Sequence, residues 1–97
     1  MIYDWDANKA EINLKIHQVS FEEATLVFED FFALEQFDET HSSIDEQIFI
    51  RLGLANGKVI FVIYTMRGKD DEVYRIISAR FAETDEEKTY WRERYGK

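Results

Sequence analysis

The stretch Ile50-Arg51-Leu52-Gly53-Leu54-Ala55-Asn56-Gly57-Lys58-Val59-Ile60-Phe61-Val62-Ile63-Tyr64 decides the fold. Two apolar runs flank Asn56-Gly57, the pair favoured in two-residue hairpin turns because both turn residues tolerate positive φ. Such a turn fixes the register of strands near 46–55 and 58–67. Leu54 then faces Val59, Leu52 faces Phe61, Ile50 faces Ile63 and Glu46 faces Arg67. These side chains share one face, which is expected to be the core face. The other face carries Phe49, Arg51, Val62, Tyr64 and Met66.

Working outward, the polar loop Gly68-Lys69-Asp70-Asp71 leads into a third strand near Glu72 to Arg80. Thr84-Asp85-Glu86-Glu87 reads as a capping box opening a helix to about Tyr95, with acids in its first turn and bases in its last. Upstream, Met1 to Trp5 reads as a short strand or extended arm. Asp6 caps a helix from Ala7 to His17, whose apolar stripe is Ala10, Leu14 and His17 with Asn13 adjoining. Ser20-Phe21-Glu22-Glu23 caps a second helix burying Ala24, Val27, Phe28 and Phe31. Ala33 to Phe37 is a possible edge strand. Phe28, Phe31, Phe32 and Phe37 are expected in the core, and Tyr90, Trp91 and Tyr95 on the sheet or a partner. The expected fold is α+β: two N-terminal helices, an antiparallel sheet of three to four strands and a C-terminal helix, in one domain over residues 1–97.

Composition narrows the chemistry. The 97 residues include fifteen aromatics, enough for a small core, and neither proline nor cysteine. Disulfides, thiolate nucleophiles and Cys-based zinc sites are thereby excluded. Only His17 and His41 are present, without metal-ligand spacing, so no metal or cofactor is expected. The sequence carries no basic-then-apolar signal pattern and no membrane-length apolar run, so a cytoplasmic location is expected. The formal net charge of −8 argues against broad nucleic-acid binding. Charge is nevertheless segregated. Residues 1–46 hold 12 acids and 2 bases, residues 47–97 hold 8 acids and 10 bases, and every arginine follows residue 50.

That segregation puts weight on Arg75-Ile76-Ile77-Ser78-Ala79-Arg80. Strand arginines on an acidic chain point to phosphate or carboxylate recognition. Five residues apart on a regular strand, Arg75 and Arg80 face opposite sides, Arg75 beside Tyr64 and Phe49 and Arg80 at the far end; a bulge would change this.

Several segments together resemble the BrnT family of bacterial toxins. These are Trp5-Asp6-Ala7-Asn8-Lys9, Asn13-Leu14-Lys15-Ile16-His17, Val19-Ser20-Phe21-Glu22-Glu23-Ala24, Asp38 with His41-Ser42, Leu52-Gly53, Gly57 with Val62-Ile63-Tyr64-Thr65-Met66-Arg67, and Arg75 to Arg80. A glutamate and a tyrosine follow in the C-terminal helix. The resemblance implies a small RelE-like ribonuclease toxin that cuts RNA without a metal. It also implies a BrnA-like antitoxin that neutralises the toxin in an oligomeric complex and contacts DNA on its behalf. On that resemblance Lys15, His17, Arg67, Arg75 and Arg80 are the candidate catalytic residues, and Arg51, Tyr64 and Ser78 the candidate RNA contacts. His41 matches a family position without an assigned role.

Cleavage by the 2′-hydroxyl needs that group deprotonated, the phosphorane charge stabilised and the 5′-oxygen protonated. Arginines supply the second of these. Structural readings stand beside the catalytic ones: His17 as a packed residue closing its helix, Lys15 and Arg51 as solvated side chains, Arg67 as the partner of Glu46. Arg75 and Arg80 in turn could pair with internal acids such as Glu72 or Glu83. The chain departs from the family's usual pattern at Gln47-Ile48 (commonly Glu-Arg), Met66 (commonly Glu), Phe81 (commonly Lys) and Gln18 (commonly Gly). These departures favour, as the alternative, a weakened or inactive relative that serves as an antitoxin-binding or other interaction module.

Overall fold

The computed structural model describes residues 2–96, so Met1 of the expected N-terminal arm lies outside the described residues. The elements are β1 (Ile2–Asp4), α1 (Ala7–His17), α2 (Phe21–Ala24), a 3-10 turn (Thr25–Glu29), β2 (Leu34–Phe37), β3 (Ile48–Ala55), β4 (Lys58–Arg67), β5 (Val73–Phe81) and α3 (Thr84–Tyr95). The α+β class holds, but the sheet has five strands in the order β1-β5-β4-β3-β2. It is mixed, because β1 runs parallel to β5 while the other pairs are antiparallel. The additional strand is the three-residue β1, too short to announce its pairing partner in sequence.

The hairpin register is the expected one: Leu54 pairs with Val59, Leu52 with Phe61 and Ile50 with Ile63. Asn56 and Gly57 both adopt positive φ, 52° and 80°, as their turn requires. Beyond the paired residues, Glu46 and Arg67 meet through a 2.8 Å ion pair.

The expected core face is inverted. The main core lies on the other side of the hairpin, where Ala55, Ile60 and Val62 join Ile76 and Ala79 under Val19, Phe21, Ala24 and Val27. Small residues explain the choice. A Cβ on Gly53 would come within 2.9 Å of the Val27 Cβ and 3.2 Å of the Ala33 Cβ, so glycine there lets the 3-10 segment settle closely on the sheet. The face expected to be core carries a smaller cluster of Leu52, Val59 and Tyr90, covered by α3. Helical segments thus pack on both faces, and one face is only partly covered.

Local capping is mostly as read. Asp6 accepts the Asn8 and Lys9 N–H groups, and Ser20 accepts that of Glu23. At α3 the N-cap is Glu83, one residue before the expected Thr84; its N–H donates to Glu86 at 2.8 Å. Helix α2 gives way to the 3-10 turn, and the Asp30 carboxylate accepts the Phe32 N–H where the chain turns outward. Phe31 is consequently 92% exposed, and Phe32 and Phe37 are more than 40% exposed, correcting their assignment to the core. Leu14, expected on the buried stripe of α1, is half exposed; Ala10, Asn13 and His17 form the stripe that turns inward.

Candidate functional site

One irregularity decides where the arginines point. Ile63 pairs with Ser78, but Tyr64 pairs with Ile76, so Ile77 is an extra residue in β5. This bulge flips the strand's parity. Arg75 therefore lies opposite Thr65, and Arg80 opposite Phe61, on the same face of the sheet, with Ser78 between them. Arg67, on the same alternation of β4, joins them. The regular-strand expectation that the two β5 arginines part, with Arg75 beside Tyr64, is corrected by the bulge. Thr65 and Phe61 are four residues apart, so Arg75 and Arg80 are spaced by about 13 Å along the strand.

Each arginine on this face is held by a carboxylate. Arg80 makes a two-pronged pair with Glu86 at 2.8 and 2.9 Å, donates to the Phe81 carbonyl at 3.2 Å, and stacks 3.9 Å over the Phe61 ring. The Arg80 hydrogen bonds hold the Glu86 carboxyl below its usual range, and Glu86 in turn raises the Arg80 guanidinium. Among the described residues Arg75 has one side-chain partner, Asp4 on the neighbouring strand β1, at 2.5 Å. Arg67 pairs with Glu46, and both are about half exposed. Glu86 also lines a cleft of about 330 Å³ with Ile50, Leu52 and Phe61, while Arg67 lines a larger groove of about 820 Å³ with Glu46 and Thr65.

The candidate RNA contacts divide. Ser78 stands on the arginine face, its hydroxyl 3.4 Å from the Asn13 carboxamide. Arg51 and Tyr64 lie on the opposite face. The Arg51 Nε donates to the Val27 carbonyl at 3.0 Å, and its terminal nitrogen to Glu35 at 3.0 Å. The Tyr64 hydroxyl donates to the same Glu35. Tyr64 has no exposed surface and is packed among Phe28, Phe49 and Tyr74. No ring face is left for a base, so Tyr64 belongs to the aromatic core, against the stacking expectation.

Lys15 and His17 occupy the last turn of α1. Lys15 is highly exposed and pairs with Glu11 at 3.5 Å; His17 is half buried. Among the described residues no hydrogen bond or ion pair joins either to the arginines. His41 bonds through Nδ1 to Asp38 at 2.8 Å in the loop between β2 and β3, and this bond lowers the Asp38 carboxyl. No cluster of three or more His, Cys, Asp or Glu able to hold a metal occurs among the described residues.

Two residues escaped the sequence reading. Asn13 is buried, and its carboxamide donates to the Ala79 carbonyl at 2.7 Å and accepts the Ala79 N–H at 3.2 Å. It closes the edge of β5 beyond the reach of β1, as a strand would. Its signal was a polar residue on a helix's inward stripe. Asp4 gave no signal, since only the pairing of β1 with β5 brings it to Arg75.

A sequence model of the family described as ribonuclease toxin, BrnT, of type II toxin-antitoxin system matches residues 5–86. The chain belongs to the BrnT family. Its structure is similar to the crystal structure of the Brucella abortus ribonuclease toxin BrnT, with 29% identity and a TM-score of 0.61, covering 87% of this chain and 100% of that one. Among curated proteins no match was found.

The fold separates the departures from the usual BrnT pattern. By strand alternation Ile48 shares the arginine face, where it pairs with Thr65. Met66 pairs with Tyr74 on the opposite face, and Phe81 packs against the main core. An acid at 66 would point away from Arg75 and Arg80. Gln18 adopts the left-handed conformation, φ 57°, at the end of α1, a conformation that glycine takes without strain.

Proposed function

We propose that this chain is a metal-independent endoribonuclease toxin that inhibits growth by cleaving RNA and is neutralised by a BrnA-like antitoxin. Membership of the BrnT family supports the class of activity. The observation that carries the mechanism is the bulge at Ile77, which gathers Arg67, Arg75, Ser78 and Arg80 on the partly covered face. A phosphodiester lying along that face meets cations on two adjacent strands. When the 2′-oxygen attacks, a second negative charge develops on the phosphorane oxygens, and guanidinium donors already in place stabilise it without a metal. Ser78 is a neutral hydrogen-bonding group between them. The long spacing of Arg75 and Arg80 suits contacts to different phosphates of one strand.

The carboxylates bound to these arginines favour a second reading, a weakened relative retained as an antitoxin-binding module. In an acidic chain each bound carboxylate competes with phosphate for its guanidinium. Inducible expression of the chain alone, with growth and RNA integrity followed together, tests both. Growth arrest with RNA fragmentation, reversed by the co-expressed antitoxin and reproduced by purified protein in EDTA, is expected. Intact RNA and normal growth, with tight antitoxin binding, would establish the second reading.

A further inference from the structure

The arginine face holds two carboxylates bound to β5, and they are used differently. Glu86 is consumed by the fold: one oxygen accepts from Arg80 and from the Glu83 N–H, and the other accepts from Arg80 again. Asp4 is not. Its Oδ2 accepts one bond from Arg75 and its Oδ1 one bond from the Trp5 N–H at 2.8 Å, leaving lone pairs on both oxygens, and its side chain is 49% exposed. The backbone bond fixes the carboxylate's orientation. The Arg75 bond uses only one of the guanidinium's five donors, so Arg75 has N–H groups to offer a phosphate while it holds Asp4.

We propose, resting on the ribonuclease reading above, that Asp4 is the general base of this protein. A phosphate bonded to the free donors of Arg75 brings the neighbouring 2′-hydroxyl within reach of the carboxylate on the same guanidinium. Asp4 takes the proton from the 2′-hydroxyl, the 2′-oxygen forms a bond to phosphorus, and the bond from phosphorus to the 5′-oxygen breaks. The departing oxygen takes a proton from a solvent water, and the hydroxide left behind is neutralised by the proton that Asp4 then releases. The products are a 2′,3′-cyclic phosphate and a 5′-hydroxyl, with no oxidant, reductant or metal consumed. The three-residue strand β1 thereby gains a purpose: it carries the base to the edge of the arginine face.

The test compares the unaltered protein with Asp4→Asn and Asp4→Glu. Cleavage of an RNA oligonucleotide is measured in EDTA, and binding is measured with the 2′-deoxy oligonucleotide of the same sequence, which binds but cannot react. Asp4→Asn is expected to lower the cleavage rate at saturating RNA at least about 100-fold, the range of a lost general base, while binding is equal or tighter because a negative charge has gone. Asp4→Glu is expected to recover part of the rate. Unchanged or faster cleavage by Asp4→Asn would overturn the assignment and make Asp4 a mere counter-ion of Arg75. Parallel loss of rate and binding in both variants would also overturn it, since the strand would then be only structural. Absence of cleavage by the unaltered protein would overturn the ribonuclease reading itself, and this assignment with it.

Discussion

The two faces of the central sheet both hold arginine against carboxylate, Arg51 on the covered face and Arg67, Arg75 and Arg80 on the other, yet they hold it differently. On the covered face Arg51 donates to the main-chain carbonyl of Val27 as well as to Glu35, beneath the 3-10 turn and in contact with the Phe28 ring. A ligand cannot take Arg51 without breaking its bond to the main chain as well as its ion pair. On the other face Arg75 and Arg67 hold only side-chain carboxylates near solvent, and a phosphate can bind beside or in place of a carboxylate with little other change. Arg80 is intermediate, because its fork also ties β5 to the start of α3. A strand arginine's availability thus depends on what it holds, more than on its exposure. Arg51 and Arg75 have similar exposure, 18% and 28% of the side chain.

The largest expected effect breaks the comparison at Arg75. Arg75→Ala should lower RNA cleavage by about 10²–10³-fold, the scale of one lost transition-state donor. Its stability cost should stay within about 1 kcal/mol, because an accessible ion pair contributes little. A cleavage rate within twofold of the unaltered protein would remove Arg75 from the site. Arg51→Ala should do the reverse. Losing the bond to Val27 and leaving Glu35 short of a partner should cost about 2–3 kcal/mol in urea denaturation. Activity per folded molecule should be unchanged.

Why the faces were confused in the sequence follows from the same residues. The hairpin turn, its register, α1 and its cap were legible because each is set by local rules. The core face was not, because both faces of β3 and β4 are apolar. The choice between them was made by Gly53, whose missing Cβ matters only once Val27 is known to sit above it. Arg51 and Tyr64 were legible as polar groups on a strand but not as partners of one edge-strand acid, Glu35. The bulge was invisible as well. Nothing in Ile76-Ile77-Ser78 announces an extra residue, and its position reverses the relation between Arg75 and Arg80.

A smaller effect concerns Arg80, where the two roles mix. Glu86 has its carboxyl lowered by the Arg80 hydrogen bonds, despite partial burial that raises it. A carboxyl lowered in the folded state contributes stability that is present above its ordinary value near 4.5 and is lost as pH falls through the folded value. The unaltered protein should therefore lose stability on acidification below about pH 4.5. Glu86→Gln should be less stable at neutral pH by about 1–2 kcal/mol and show a shallower loss on acidification. Denaturation curves collected across that range check the slope; identical slopes would show that the pair does not join β5 to α3 in solution.

The smallest expected effect lies away from both faces, at the left-handed turn between α1 and α2. Gln18 has φ 57° and donates its backbone N–H to the Leu14 carbonyl at 2.9 Å. A side chain in this conformation crowds its own backbone, whereas glycine does not. Gln18→Gly should stabilise the fold by about 1 kcal/mol, less the weak exposed bond from the Gln18 side chain to the Lys15 carbonyl. Glycine keeps the left-handed turn and its N–H bond to Leu14, so Lys15 and His17, which immediately precede it, stay where they are. The melting temperature should therefore rise while the cleavage rate stays the same, and a lower rate would show that the Gln18 side chain itself takes part.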